Sequence, residues 1–155
     1  MASVNLPLTY TALASPELNT PAVAIQKTVT SLAADELLVR LSYASLNPMD
    51  SKLQQVNFWH FPLPLVLGFD FSGTVVAVGG GSGGDGSIAV GAEVFGYSPP
   101  ARYYAEYLVV QRQFVCLRGP IPVDEASTYG IAYNSAAESL LLSDDLSSAA
   151  VSGST

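Results

Sequence analysis

The stretch VLGFDFSGTVVAVGGG, residues 66–81, carries most of the information about architecture. It reads as a short apolar run, a turn at Gly68, a strand over 71–78 and a glycine run. A second strand, AEVFGY (92–97), lies beyond the glycines, so the two are expected to pair around that loop. Working outward, the chain continues to read in strands. LTYTAL (8–13) and VAIQKTV (23–29) flank a stretch containing Pro and Asn. ELLVRLSYASL (36–46) is rich in Leu, Val and Tyr, with Arg40 and Ser42 alternating against Val39, Leu41 and Tyr43. Asn47-Pro48 ends it, because Pro48 lacks an amide hydrogen and drives Asn47 to an extended conformation. DSKLQQ (50–55) predicts a short helix capped by Asp50. VNFWHFPLPLVLG predicts a loop stiffened by Pro62 and Pro64. YYAEYLVV (103–110) and FVCL (114–117) predict further strands.

After Pro120 and Pro122 the pattern changes. Residues 124–143 place helix formers and apolar groups near helical spacing, with acids in the first turn. AAVSGST (149–155) begins like a buried strand entering a glycine turn. Short strands with turns every 8–12 residues point to a barrel or a sandwich, followed by a helix.

Composition narrows the function classes. The chain has 155 residues, 49% hydrophobic and only 12% charged, so a single compact domain with a real core is expected. Its formal net charge is −7, and the six Lys and Arg are scattered from Lys27 to Arg118. That argues against a nucleic-acid surface and against anionic membranes. No apolar stretch approaches the ~20 residues of a membrane helix, and no secretory leader is read at the N-terminus. A cytoplasmic setting is the expectation. The single Cys116 sits in an apolar run and reads as a buried structural thiol. One Cys and one His, His60, cannot supply the four ligands of a structural zinc knuckle.

Gly79–Gly84 satisfies the spacing G-x-G-x-x-G after a strand. A dinucleotide fingerprint requires a helix next, whose N-terminus receives the pyrophosphate. Here the next run is DGSIAVGAEVFGY, with a second glycine-flanked turn and a strand. The glycine run therefore reads as a hairpin connection.

The ordered runs ELLVRLSYASLNPMDSKLQ, LPLVLGFDFSGTVVAVGGG, VGAEVFGY, YYAEYLVV and VDEASTYGIAYNSAAESLL resemble the N-terminal GroES-like catalytic domain of medium-chain dehydrogenase/reductases. They resemble in particular the branch of quinone oxidoreductases and enoyl reductases. The resemblance covers roughly residues 8–155. It implies a mainly β fold with α (α+β): a GroES-like, partly open β-barrel over residues 1–122, then a connecting helix. The first strand of an incomplete Rossmann fold completes the second segment, 123–155. Zinc alcohol dehydrogenases of the same superfamily carry Cys where Asn47 stands and His-Glu where Phe69-Asp70 stand. Phe offers no donor and an Asn amide is a poor zinc ligand, so no zinc is expected. What remains is hydride delivery to an already electrophilic double bond.

By position, the resemblance puts Asn47 at the edge of the nicotinamide pocket, as catalytic and cofactor-facing residue. The same Asn also suits a turn satisfied by local backbone. Ser135 falls where the family has a Thr near the nicotinamide, although a helical Ser can instead bond back to its own preceding turn. Phe58, Trp59 and Phe61 lie in the segment that lines the substrate mouth, and equally suit core anchoring. His60 among them reads as a solvated loop residue. Asp50, Asp70, Tyr104 and Glu106 read as structural. Gly153 would be the first glycine of the cofactor turn.

The implied cofactor is NADPH, with NADH not distinguished. The implied partners are a small enone, quinone or acyl thioester, and a second copy as homodimer in a full-length form. AAVSGST matches only the opening of a cofactor domain, so the chain reads as truncated there and is expected to bind NADPH poorly alone. Two functions stay open: the substrate-side part of a zinc-independent reductase, and a non-catalytic GroES-like binding or oligomerisation module.

Overall fold

The computed structural model describes residues 4–80, 88–97 and 103–141. It is mainly β, with eight strands in two sheets, three α-helices and one short 3-10 helix among the described residues. β1 (Leu8–Ser15) pairs antiparallel with β2 (Val23–Val29), from Leu8 opposite Val29 to Ala14 opposite Val23. β4 (Leu65–Val66) adds to the other edge of β1. The second sheet runs β7-β3-β5-β6-β8. It is built from β3 (Glu36–Ala44), β5 (Asp70–Val78), β6 (Glu93–Tyr97), β7 (Tyr107–Gln111) and β8 (Val115–Leu117). The two sheets do not close into a complete barrel, which agrees with the partly open arrangement expected.

β5 sits at the centre of the larger sheet. It pairs with β3 on one side and with β6 on the other, Asp70 opposite Tyr97 and Thr74 opposite Glu93. Its core side carries Phe71 and Val75, packed with Leu37, Val39, Val94, Leu108 and Val115. Gly73 and Gly79 serve close approach. A Cβ at Gly79 would stand 1.7 Å from the Ala33 carbonyl oxygen, and the Gly79 amide donates to Glu36 O at 2.8 Å. The first glycine of the run is thus a packing residue. Among the described residues, the chain continues into a turn at Gly91 and then β6, not into a helix. Residues 81–87 lie outside the described residues.

Several boundaries differ from the sequence-based expectation. The segment 103–106 is not part of a strand. It crosses between sheets, with Leu13 N donating to Tyr104 O at 2.7 Å, Glu106 N to Thr11 O at 3.0 Å and Leu41 N to Glu106 O at 3.0 Å. The Glu106 carboxylate also accepts from Thr11 N at 2.7 Å, so Glu106 binds β1 through both backbone and side chain. α1 spans Pro48–Val56, two residues longer at its start than expected. Asn47, extended at φ −118 and ψ 148, is the N-cap, and Pro48 occupies the first turn, where its missing amide costs nothing. Asp50 is the third helical residue rather than the cap.

The expected 124–143 helix is split into α2 (Val123–Ala126) and α3 (Gly130–Leu141). Ser127 and Thr128 turn their hydroxyls back onto the carbonyls of Asp124 and Glu125, at 2.7 and 2.8 Å, which ends the first segment. α2 packs on β3 and β5, and α3 on β5 and β6. Cys116 is exposed, contrary to expectation. β8 is an edge strand whose Val115 points inward, so the alternating next residue faces out. The expected strand at 149–151, residues 142–143 of the expected helix and Gly153 lie outside the described residues. No described helix is long and apolar enough to cross a membrane.

Candidate functional site

The site forms where β3 ends, α1 begins, β5 starts and α3 starts. Each element brings one group. Ser45 follows β3, Asn47 caps α1, Asp70 opens β5, and Ile131 lies in the first turn of α3. Asp70 is buried and its carboxylate is the hub. Asn47 Nδ2 donates to Asp70 Oδ2 at 3.0 Å, and Ser45 Oγ donates to the same oxygen at 3.1 Å. Ile131 N donates to Asp70 Oδ1 at 2.9 Å. Burial raises the Asp70 pKa from its ordinary value. The hydrogen bonds from Asn47, Ile131 and Ser45 oppose that rise, and the nearby Asp50 charge adds to it.

A second buried carboxylate holds the frame. Asp50 accepts from Asn47 N at 2.8 Å, the carboxylate half of a capping box. Its other oxygen accepts from Gly68 N at 2.7 Å. The Tyr104 hydroxyl donates to Asp50 Oδ2 at 2.9 Å and lies 3.2 Å from the Ser45 carbonyl. Burial and the adjacent Asp50 push the Tyr104 pKa up, so that hydroxyl stays protonated and remains a donor. Gly68, at φ +96, lets the chain turn beneath Tyr104, whose ring lies 2.9 Å from where a Cβ would stand.

The aromatic segment begins at the far end of α1. Nine residues of helix separate it from Asn47 by about 13 Å of rise. Asn57 ends the helix in the left-handed region, at φ +45. Its side chain then brackets Phe61, donating to Phe61 O at 2.8 Å and accepting from Phe61 N at 2.9 Å. This staple presents Phe58 and Trp59 outward, 42% and 44% exposed. Trp59 is the junction of the cluster. Its ring centroid lies 4.9 Å from Phe58, 5.6 Å from Phe61 and 6.0 Å from Phe69. Phe69 is buried, packed with Leu53, Leu65 and Leu67, and Phe61 joins that core from its rim. So the three named aromatics divide: Phe61 anchors, while Phe58 and Trp59 offer open ring faces. His60 is exposed beside them.

Ser135 is on α3, exposed, one helical turn beyond Ile131 and on the same face. Its carbonyl accepts from Ser139 Oγ at 2.8 Å. The structure therefore links Asn47 and the α3 face of Ser135 through Asp70, and links the aromatics to the same place through Phe69, the residue before Asp70. Sequence reasoning named Asp70 as structural without its partners, and did not single out Asn57. An Asn that ends a helix ahead of an aromatic run was the available signal for Asn57, because Asn adopts the left-handed region readily.

Two of the three positions compared with zinc enzymes carry poor metal donors. Position 47 offers an amide already engaged by Asp70, and position 69 a buried hydrocarbon ring. Among the described residues no group of three or more His, Cys, Asp or Glu side chains is gathered to hold a metal ion.

Residues 33–122 match the family described as alcohol dehydrogenase GroES-like domain. The trans-enoyl reductase phmE of Phaeosphaeria nodorum is 33% identical over 137 residues, covering 83% of this chain and 38% of that protein. The chloroplastic NADPH-dependent alkenal/one oxidoreductase of Arabidopsis thaliana is 31% identical over 113 residues, covering 66% of this chain and 28% of its own length. Among solved structures, an alcohol dehydrogenase superfamily protein from Novosphingobium aromaticivorans superposes with a TM-score of 0.74 at 28% identity. It covers 84% of this chain and 41% of its own. The chain thus spans less than half the length of these relatives.

Proposed function

The chain belongs to the alcohol dehydrogenase GroES-like domain family, and from that premise we propose that it is the substrate-side part of a zinc-independent, NADPH-dependent reductase. Its substrates are small molecules with a conjugated, electron-poor double bond: enoyl thioesters, enones or quinones. The observation that carries the reading is the hub at Asp70. Where the zinc alcohol dehydrogenases carry metal ligands, this chain has a hydrogen-bonded amide and a buried ring.

When bound, NADPH supplies the hydride for the double bond. The Gly79 amide is engaged by Glu36, and among the described residues the next elements are the turn at Gly91 and β6. The chain's own contribution is orientation. Asn47, held by Asp70 and by its capping box, presents a fixed amide edge to a nicotinamide or to a substrate carbonyl. Ser135 presents a hydroxyl on the neighbouring helix face. Phe58 and Trp59, set edge-to-face at 61°, give an exposed apolar corner in which a planar conjugated group stacks on one ring face and water is displaced. The alkenal/one oxidoreductase and the trans-enoyl reductase are named for activities of this class, which supports the reading.

The test is a chimera in which this chain replaces the matching segment of the phmE reductase. NADPH oxidation is followed with a crotonyl thioester, a short enone and a benzoquinone. Turnover of at least one class is expected. A chimera that folds and oxidises NADPH with none of them contradicts the reading.

A further inference from the structure

We infer that Asp70 is a positioning residue: its one carboxylate fixes the Asn47 amide and the first turn of α3 in a common register. This rests on the reductase reading for its consequence in turnover, though not for its geometry. The two oxygens divide the work. Oδ2 takes the Asn47 side chain and Ser45, and Oδ1 takes the Ile131 amide, 61 residues further on. A carboxylate buried to 1% exposure has no water to satisfy it, so these protein donors are what make its burial tolerable.

The helix approaches closely enough for this only because residue 130 is glycine. A Cβ there would stand 2.3 Å from Asp70 Oδ1 and 2.7 Å from the Tyr97 Cβ. Asp50 accepts from the Asn47 backbone N–H while Asp70 accepts from its side-chain amide, so the residue is pinned by two carboxylates at once. Displacing Asp70 frees the Asn47 side chain and, through the helix, shifts Ser135 one turn on. Asp70 touches neither cofactor nor substrate in this scheme and acts through Asn47 and α3.

The consequence is non-additivity. In the chimera, Asp70→Asn keeps an acceptor for Ile131 while setting an amide group against Asn47 and Ser45. It is expected to lower kcat by about ten- to a hundredfold with KM for the enoyl substrate little changed. On an Asn47→Ala background the same change is expected to cost almost nothing more. Multiplying losses in the double variant would overturn the assignment.

A second arm needs no activity. In the 155-residue chain, Asp70→Asn should move the Asn47 side-chain amide resonance. Asp70→Ala should move that resonance and also lower hydrogen-exchange protection at Ile131. An Asn47 resonance and an Ile131 amide indifferent to both substitutions would overturn it. An inactive wild-type chimera would sink the reductase reading alone, and this second arm would still decide the geometry.

Discussion

Asp70 and Ile131 are joined by a 2.9 Å hydrogen bond between the carboxylate that opens the central strand and the first turn of α3. Together with the packing of α3 on β5 and β6, this bond seats the last described helix on the sheet and places the α3 face of Ser135 on the same hub as Asn47. Most of the testable behaviour of the chain derives from that seat.

The seat depends on Gly130. Ala at this position must push its Cβ into Asp70 Oδ1 and the Tyr97 side chain. Gly130→Ala is expected to destabilise the fold by about 1–3 kcal/mol, the usual cost of overpacking a tight contact. Gly80, whose added Cβ meets nothing within 4 Å, is the control. Gly80→Ala should stay within about 0.5 kcal/mol of the parent. Urea unfolding of both variants measures the difference, and equal midpoints would contradict the close approach.

The raised pKa of Asp70 has a definite sign in stability. Below the ordinary value of 3.8, folded and unfolded chains both hold the proton. As pH rises through 3.8, the unfolded chain releases it first, because burial keeps it on in the fold. Stability should therefore decline from about pH 3.8 upward, levelling once the folded-state value is passed. Asp50 and Tyr104 face the same group and are present in both proteins compared. Subtracting the Asp70→Asn unfolding profile from that of the parent isolates this component. A difference that rises with pH over this interval would reverse the assignment.

Trp59 and Phe69 touch but should respond differently to truncation. Phe69 is 2% exposed, so Phe69→Ala should cost about 3–5 kcal/mol. Trp59 is 44% exposed and should cost about 1–2 kcal/mol. As the sole Trp of the chain it is also an optical probe. A planar naphthoquinone stacked on it should quench its fluorescence saturably. Strictly linear, collisional quenching would remove Trp59 from the substrate wall.

The strands around 66–97 were legible because period-2 alternation and glycine punctuation are local signals. The mainly β, partly open arrangement came from them together with the family resemblance. The crossing segment 103–106 was not legible. Its apolar alternation looks like a strand, yet its backbone groups are shared among β1, β3 and the carbonyl of Leu67, a tertiary fact. The division of α2 from α3 was written in Ser127, Thr128 and Gly130, residues that turn hydroxyls onto backbone or admit close approach.

Cys116 misled because an apolar run does not reveal which face of an edge strand is covered. At the site, Asn47 and the aromatics were named from the resemblance. Asp70 was read as merely structural, because its partners Ser45, Asn47 and Ile131 come from separate parts of the chain.

The decisive measurement is the rate of NADPH oxidation by the phmE chimera with an enoyl thioester, before and after exhaustive chelation of metals. The rate is expected to persist unchanged in chelator and to fall roughly five- to 150-fold in Asn47→Ala, the size of a lost orienting hydrogen bond in a dry site, about 1–3 kcal/mol. A rate abolished by chelation and restored by one zinc per chain would contradict a metal-free site built on Asn47, Phe69 and Asp70.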